Sequence, residues 1–303
     1  MQNSGISSLA TRSTMPLPEE APRSRFALQG RSWQADPRID AVRRDLADIR
    51  LAGRIFAPHY ARAQQGSARH AAPIRAGRAD NAPVLSEVLA GETFEILELA
   101  SDYAWGVSTV DGVVGYVTAE ALGEPIDSDH IVVVPVAEVR GEADPHAPVI
   151  ARLPMGSRIA ASGDGALRAI SGGYVLAEAC RPIDEPANDF VAIAEGLIGV
   201  PTVPGGRSGA GVDSTGLVFL SLALAGIQAP RFCGLQRSDL GRDVAQGEAL
   251  RRGDLVYFDD HVAIMVDGET AIHADAEAVK QAPLQQIVAQ GGYGEILARR
   301  RPA

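Results

Sequence analysis

The stretch Gly205-Gly206-Arg207-Ser208-Gly209-Ala210-Gly211-Val212-Asp213-Ser214-Thr215-Gly216-Leu217-Val218 constrains this chain more than any other. A glycine-rich loop runs into a small polar side chain, and an apolar run follows. Asp213 suits an N-cap and Gly226 a stop, so the pattern predicts a helix over 214–225. A side chain in the first turn of a helix faces unpaired N–H groups and the positive end of the helix dipole. Downstream, residues 255–258 and 261–266 read as strands joined by the acidic turn Asp259-Asp260, and 269–274 as a third strand. Helical spacing predicts one helix over 190–198, ending near Gly199, and a late one over 283–290. A helix followed by an antiparallel sheet gives an α+β domain over 188–303.

Ahead of that domain the pattern is different. Ala82-Pro83-Val84-Leu85 recurs as Ala147-Pro148-Val149-Ile150, and Gly91 as Gly156. Gly115-Tyr116-Val117-Thr118-Ala119-Glu120-Ala121 recurs as Gly173-Tyr174-Val175-Leu176-Ala177-Glu178-Ala179. Each copy is a set of short alternating strands broken by Gly and Asp turns. Two copies of this size suit two small all-β barrels. The expected organisation is a disordered arm over 1–35, an arm plus first barrel over 36–124, and a second barrel over 125–183. A short helix is expected near 40–50, and a linker over 181–187.

The chemistry centres on Ser214. A cysteine at such a helix start would have a lowered pKa and exist as thiolate. A serine gains almost no anion there and depends on a base. His261 is the candidate base and His273, on the adjacent strand, the residue that orients it; backbone N–H groups near Ser214 are candidate oxyanion donors. Cys233 reads as a loop residue without the helix start that would lower its pKa, and Cys180 as packing. The run Arg299-Arg300-Arg301 reads as a solvated tail.

These motifs resemble the NlpC family of papain-like cell-wall peptidases. The resemblance is carried by residues 205–218, Arg251-Arg252-Gly253-Asp254-Leu255-Val256, His261-Val262-Ala263-Ile264-Met265 and Ile272-His273-Ala274. Gly-Tyr-Val followed by a turn, in both copies, resembles the last strand of bacterial SH3-like barrels. The resemblance implies an α+β papain-like C-terminal domain behind two SH3-like barrels. It also implies hydrolysis of peptidoglycan stem peptides between γ-D-glutamate and a diamino acid. Ser214, His261 and His273 then fall on the catalytic positions. Asp213 and the segment Arg231-Phe232-Cys233 fall on substrate-binding ones.

The chain departs from that family at several points around one pocket. Its nucleophile motif is Asp-Cys-Ser-Gly-Leu-Val, and Ser214 stands where the Cys belongs. Arg231-Phe232-Cys233 stands for Arg-Asp-Ser, which helps hold the substrate's amine. Thr202-Val203-Pro204 replaces an aromatic pair, and Asp111-Gly112-Val113 replaces Asp-Gly-Tyr. The expectation is a murein-peptide hydrolase by descent with weakened or lost activity that retains a peptide- or protein-binding cleft. An active serine-variant hydrolase and a non-enzymatic SH3-type binding module are the alternatives.

Composition removes other classes. A net charge of −10 repels nucleic acid and anionic membrane surfaces. No apolar run approaches a membrane span, and residues 1–16 lack the features of a signal peptide, so a cytoplasmic location is expected. Two cysteines are too few for a disulfide framework, and two histidines with Asp275 too few for a zinc site. No cofactor is expected.

Overall fold

The computed structural model describes residues 34–290 and 292–302. The arm expected over 1–35 lies outside the described residues except for its last two. The helix expected near 40–50 does not form. Strand β1 (Leu46–Asp48) pairs in parallel with β2 (His59–Ala61), and a single 3-10 turn, Ile49–Leu51, follows β1. Asp48 is the reason. Its buried carboxylate accepts from Arg50 N at 2.8 Å and from the Arg50 guanidinium, which turns the chain where a helix would have to continue.

Seven strands follow: β3 (Gln64–Ala68), β4 (Ala72–Arg75), β5 (Val84–Val88), β6 (Thr93–Leu99), β7 (Tyr103–Ser108), β8 (Val114–Thr118) and β9 (Leu122–Gly123). They form one sheet in the order β5-β4-β8-β7-β6-β3-β9, with Ile74, Val88, Phe94 and Val117 buried in its core. The second copy contains β10 (His130–Val132), β11 (Val136–Arg140), β12 (Val149–Pro154), β13 (Arg158–Ile159), β14 (Leu167–Ile170), β15 (Gly173–Leu176) and β16 (Cys180–Pro182). Its order is β12-β11-β15-β14 and, separately, β13-β10-β16. That is the first order cut once, where the contact between the β13 and β14 segments shrinks to the single bridge Ser162↔Ala169. The repeat in sequence is a repeat in topology. By strand pairing the expected barrels are open sheets, since the end strands β5 and β9 do not pair with each other. Gly91 and Gly156 occupy matching turns with φ of 75° and 94°, a region closed to most side chains. The linker starts later than expected, because β16 runs to Pro182.

The C-terminal domain contains α1 (Phe190–Glu195), the pair β17 (Arg207–Ser208) and β18 (Gly211–Val212), then α2 (Ser214–Leu224) and α3 (Cys233–Asp239). Strands β19 (Arg242–Asp243), β20 (Leu255–Tyr257), β21 (Val262–Met265), β22 (Thr270–Ala274) and β23 (Val279–Pro283) follow, then α4 (Leu284–Ala289) and β24 (Ala298–Arg301). The antiparallel sheet runs β19-β24-β20-β21-β22-β23. Alternation sorts its two faces. Leu255, Tyr257, Val262, Ile264 and Ile272 pack with α2. Val256, Phe258, Ala263, Met265 and Ala271 pack with Ile287 of α4.

Helix α2 carries no polar stripe, because all its residues except Ala223 are buried. The sheet takes one side of it. On the other, Leu220 shares a core with Met155 of the second module, and Phe219 lies under the Arg207 guanidinium. The arginine run is no solvated tail. It forms β24, where Arg301 is buried and bonded to Asp254 through Nε at 2.6 Å and Nη2 at 2.7 Å. Among the described residues no helix is long and apolar enough to cross a membrane.

Candidate active site

Asp213 builds the start of α2. Its Oδ1 accepts from Gly216 N at 2.6 Å and Thr215 Oγ1 at 2.8 Å; its Oδ2 accepts from Gly205 N at 3.0 Å. The buried Arg231 guanidinium holds the same carboxylate in a fork, at 3.0 and 2.7 Å, and also donates to Thr215 Oγ1. Burial alone would push the Asp213 carboxyl up. The Arg231 charge and the hydrogen bonds outweigh it and hold the carboxyl below its usual range. Ser214 follows, 8% exposed, as the first residue of α2. Its Oγ forms no hydrogen bond among the described residues.

The two histidines meet. His261 Nε2 lies 3.0 Å from His273 Nδ1, with the rings 89° apart. That bond leaves His261 Nδ1 as the ring nitrogen for any reacting group. Tyr293 stacks on the outer side of His261 at 3.8 Å and 11°, and Phe258 abuts the same ring. Burial under these rings, helped by the neighbouring His273, lowers the His261 pKa to about 3 against a weak opposing pull from Asp275. His273 is lowered as well, chiefly by burial. Asp275 offers little negative field, because Lys280 bonds to it at 2.6 Å. Both imidazoles are neutral at neutral pH. Removing the roof tests this cause. Tyr293→Ala should raise the His261 pKa by at least about one unit toward the solvated value near 6.5, read from the histidine ring resonances in an NMR titration.

The segment Arg231-Phe232-Cys233 bridges the two halves. Arg231 holds Asp213 and Thr215. Cys233 Sγ lies 3.8 Å from Asp259 O, in the turn that leads to His261. Phe232 packs on the core of the first module beneath the Arg38 guanidinium, 4.5 Å from its ring. An apolar ring docked between two domains therefore fills the position where the resemblance implies an amine-binding acid. Cys233 is not a loop residue: it opens α3. The helix start does not activate it. Burial first, then Asp260, Asp259 and Asp213, push its thiol up to about 11, against Arg237.

Sequence reasoning missed Tyr293, whose only mark is its place between Gly292 and Gly294. It also missed the role of Arg207, the arginine inside the glycine-rich loop. That side chain is 1% exposed and crosses into the first module. It donates to Glu92 through Nη1 at 2.9 Å and through Nη2, and to Asp111 Oδ2 through Nε at 3.0 Å. Asp111 continues to Ser86 Oγ, and Ser86 to Arg231 Nε at 3.4 Å. A buried polar chain thus runs from the first SH3-like module to the cap of α2.

A cleft of about 380 Å³ opens beside His261, lined by Asp259, Asp260, Gly292, Tyr293 and Gly294. Among the described residues no group of three His, Cys, Asp or Glu side chains is placed to hold a metal ion.

Residues 199–296 match the NlpC/P60 family, and residues 74–122 the bacterial dipeptidyl-peptidase SH3 domain. The C-terminal domain is an NlpC/P60 domain. The chain is similar in fold to an NlpC/P60 family protein from Bacillus cereus, with a TM-score of 0.67 and 18% identity over 78% of this chain and 99% of that one. NlpC2 from Trichomonas vaginalis aligns at 16% identity over 80% and 98% of the two chains, with a TM-score of 0.40. The peptidoglycan hydrolase RipB from Mycobacterium tuberculosis aligns at 27% identity over 37% and 62%, with a TM-score of 0.32. No curated protein matches the chain. Within the NlpC/P60 domain, Ser214 opens α2, His261 and His273 are bonded partners, and the first SH3-like module supplies the buried carboxylates that hold Arg207 of the loop ahead of α2.

Proposed function

We propose that this NlpC/P60 domain is a peptidoglycan-peptide hydrolase by descent whose activity is weakened or lost and whose cleft still binds a peptide. The observation that carries this reading is the state of the base. His261 is bonded to His273 and roofed by Tyr293, with a pKa of about 3, while Ser214 Oγ makes no hydrogen bond to either imidazole among the described residues. General-base catalysis works best with a pKa near the operating pH, and a base this weak takes a hydroxyl proton poorly. A thiolate would supply the negative charge that raises the imidazole pKa; a hydroxyl does not.

Phe232 in the place of the amine-binding acid weighs against turnover. A second feature supports binding. The open cleft beside His261 is edged by Asp259 and Asp260, which suit the ammonium of a diamino acid. The test is calorimetric titration with L-Ala-γ-D-Glu-diaminopimelate. Saturable binding, weakened about tenfold or more in His261→Ala, is expected. No binding to either protein would remove the cleft from the proposal and leave a module whose SH3-like part does the binding.

The intact His261–His273 bond favours a second reading, a working serine hydrolase. It predicts turnover that Ser214→Ala abolishes. The first reading gives a different expectation for Ser214→Cys. That change alone restores little cleavage, because Phe232 still fills the amine subsite; Ser214→Cys with Phe232→Asp restores more, measured as released amine.

A further inference from the structure

A second cavity, of about 80 Å³, lies on the far side of α2 from its sheet, where the second SH3-like module meets the helix. Its polar lining is unusual. Arg158 on β13 and Arg181 on β16 are both direct cross-strand partners of Ile131 on β10. Three residues in such a row leave the sheet on one face. Ile131 packs into the core that contains α2, so that face is the one turned toward the helix. Two strand spacings set the arginine Cα atoms about 10 Å apart, a span that two arginine side chains can close from either side. Phe219, Leu220 and Leu224 form the opposite wall.

Neither guanidinium is neutralised. Among the described residues the Arg158 side chain makes no hydrogen bond and no ion pair, and its Nε and that of Arg181 are buried without partners. Among the described residues the Arg181 side chain donates only to Leu224 O, at 3.4 Å, a carbonyl that also accepts from Ala187 N at 2.9 Å. That single long bond to the end of α2 leaves the Arg181 Nε without an acceptor. Glu92 borders the cavity, but its oxygens are taken by Arg207 and by Leu89 N. Glu185, exposed at the rim, pairs with neither arginine. Two like charges turned into one cavity repel each other, and unpartnered buried N–H groups cost further free energy.

We propose that this cavity is an anion site, in which a carboxylate or phosphate group lies between Arg158 and Arg181 and joins the second SH3-like module to α2. An oxyanion supplies the acceptors that both Nε–H groups lack, in the forked geometry arginine favours. The site faces the C-terminal half of α2, about 15 Å along the helix from Ser214, and is separate from the His261 cleft.

Isothermal titration calorimetry of the full chain at constant ionic strength in chloride tests this. Inorganic phosphate and glutarate are used in separate runs, so that a phosphate source and a carboxylate source are told apart. Saturable one-to-one binding of at least one of them is expected, with affinity reduced about tenfold or more in Arg158→Gln. Arg158 has no partner to lose, so that variant should unfold in chloride at an unchanged or higher midpoint. Arg181→Gln should lose binding likewise. The proposal is overturned if neither anion binds saturably up to about 50 mM, or if both variants bind as tightly as the parent.

Discussion

Arg207→Met is expected to destabilise the protein by about 3–5 kcal/mol at neutral pH, because it strands two buried carboxylates. Glu92 and Asp111 are buried with Arg207, and among the described residues nothing else of positive charge bonds to them. Burial works against the charge on Arg207, yet Glu92 and Asp111 hold it more firmly protonated than a free guanidinium. In a chain of this size the loss corresponds to a fall of roughly 10 °C in the thermal midpoint. Chemical and thermal unfolding of the two proteins measure it. Adding Glu92→Gln and Asp111→Asn should recover most of the loss, since a buried ion pair replaced whole costs far less than one broken in half. A loss under about 1 kcal/mol would mean that the first module and the NlpC/P60 domain do not depend on this contact.

Acidification is the second large effect. His261 titrates at about 3 in the folded protein and near 6.5 when unfolded. The unfolded chain therefore binds the extra proton first. The stability this group contributes is whole above pH 6.5 and is lost as pH falls from there toward 3. The limit is about 3–5 kcal/mol. His273, also lowered, adds to the loss in the same direction. Asp275 and Lys280 face the pair from the β22–β23 hairpin and Tyr293 from the C-terminal loop. Of these, Asp275 is held at about 2 and stays ionised across the window. His261→Gln should flatten the stability profile between pH 6.5 and 4, measured by urea unfolding at each pH. An equally steep profile in the variant would place the acid lability elsewhere.

Much of this was legible in the sequence, for physical reasons that can be named. Asp213 and Gly226 bracket an apolar run, and a capping carboxylate and a positive-φ glycine mark helix ends almost regardless of context. The repeat fixed the topology of two modules because matched turns and alternating strands recur together. The spacing of His261 and His273 placed them on neighbouring segments of one hairpin. What escaped depends on contacts between distant parts of the chain. Arg207 looks like any polar loop residue until Glu92 and Asp111 arrive from the first module. Arg301 reads as solvated until Asp254 of the adjacent loop meets it. Tyr293 has no periodicity to announce that it will lie on His261. Cys233 was misplaced because α3 is seven residues long and has no capping side chain at Phe232. The false helix near 40–50 failed locally, at Asp48.

Turnover of L-Ala-γ-D-Glu-diaminopimelate, followed as released amine in the parent protein and in Ser214→Ala side by side, probes the proposed loss of catalysis without intermediaries. Equal rates at the level of buffer alone are the predicted result, since the Ser214 hydroxyl has no anionic form at neutral pH and the His261 imidazole is too weakly basic to deprotonate it. Cleavage by the parent that vanishes in Ser214→Ala would contradict that account and make the serine a working nucleophile.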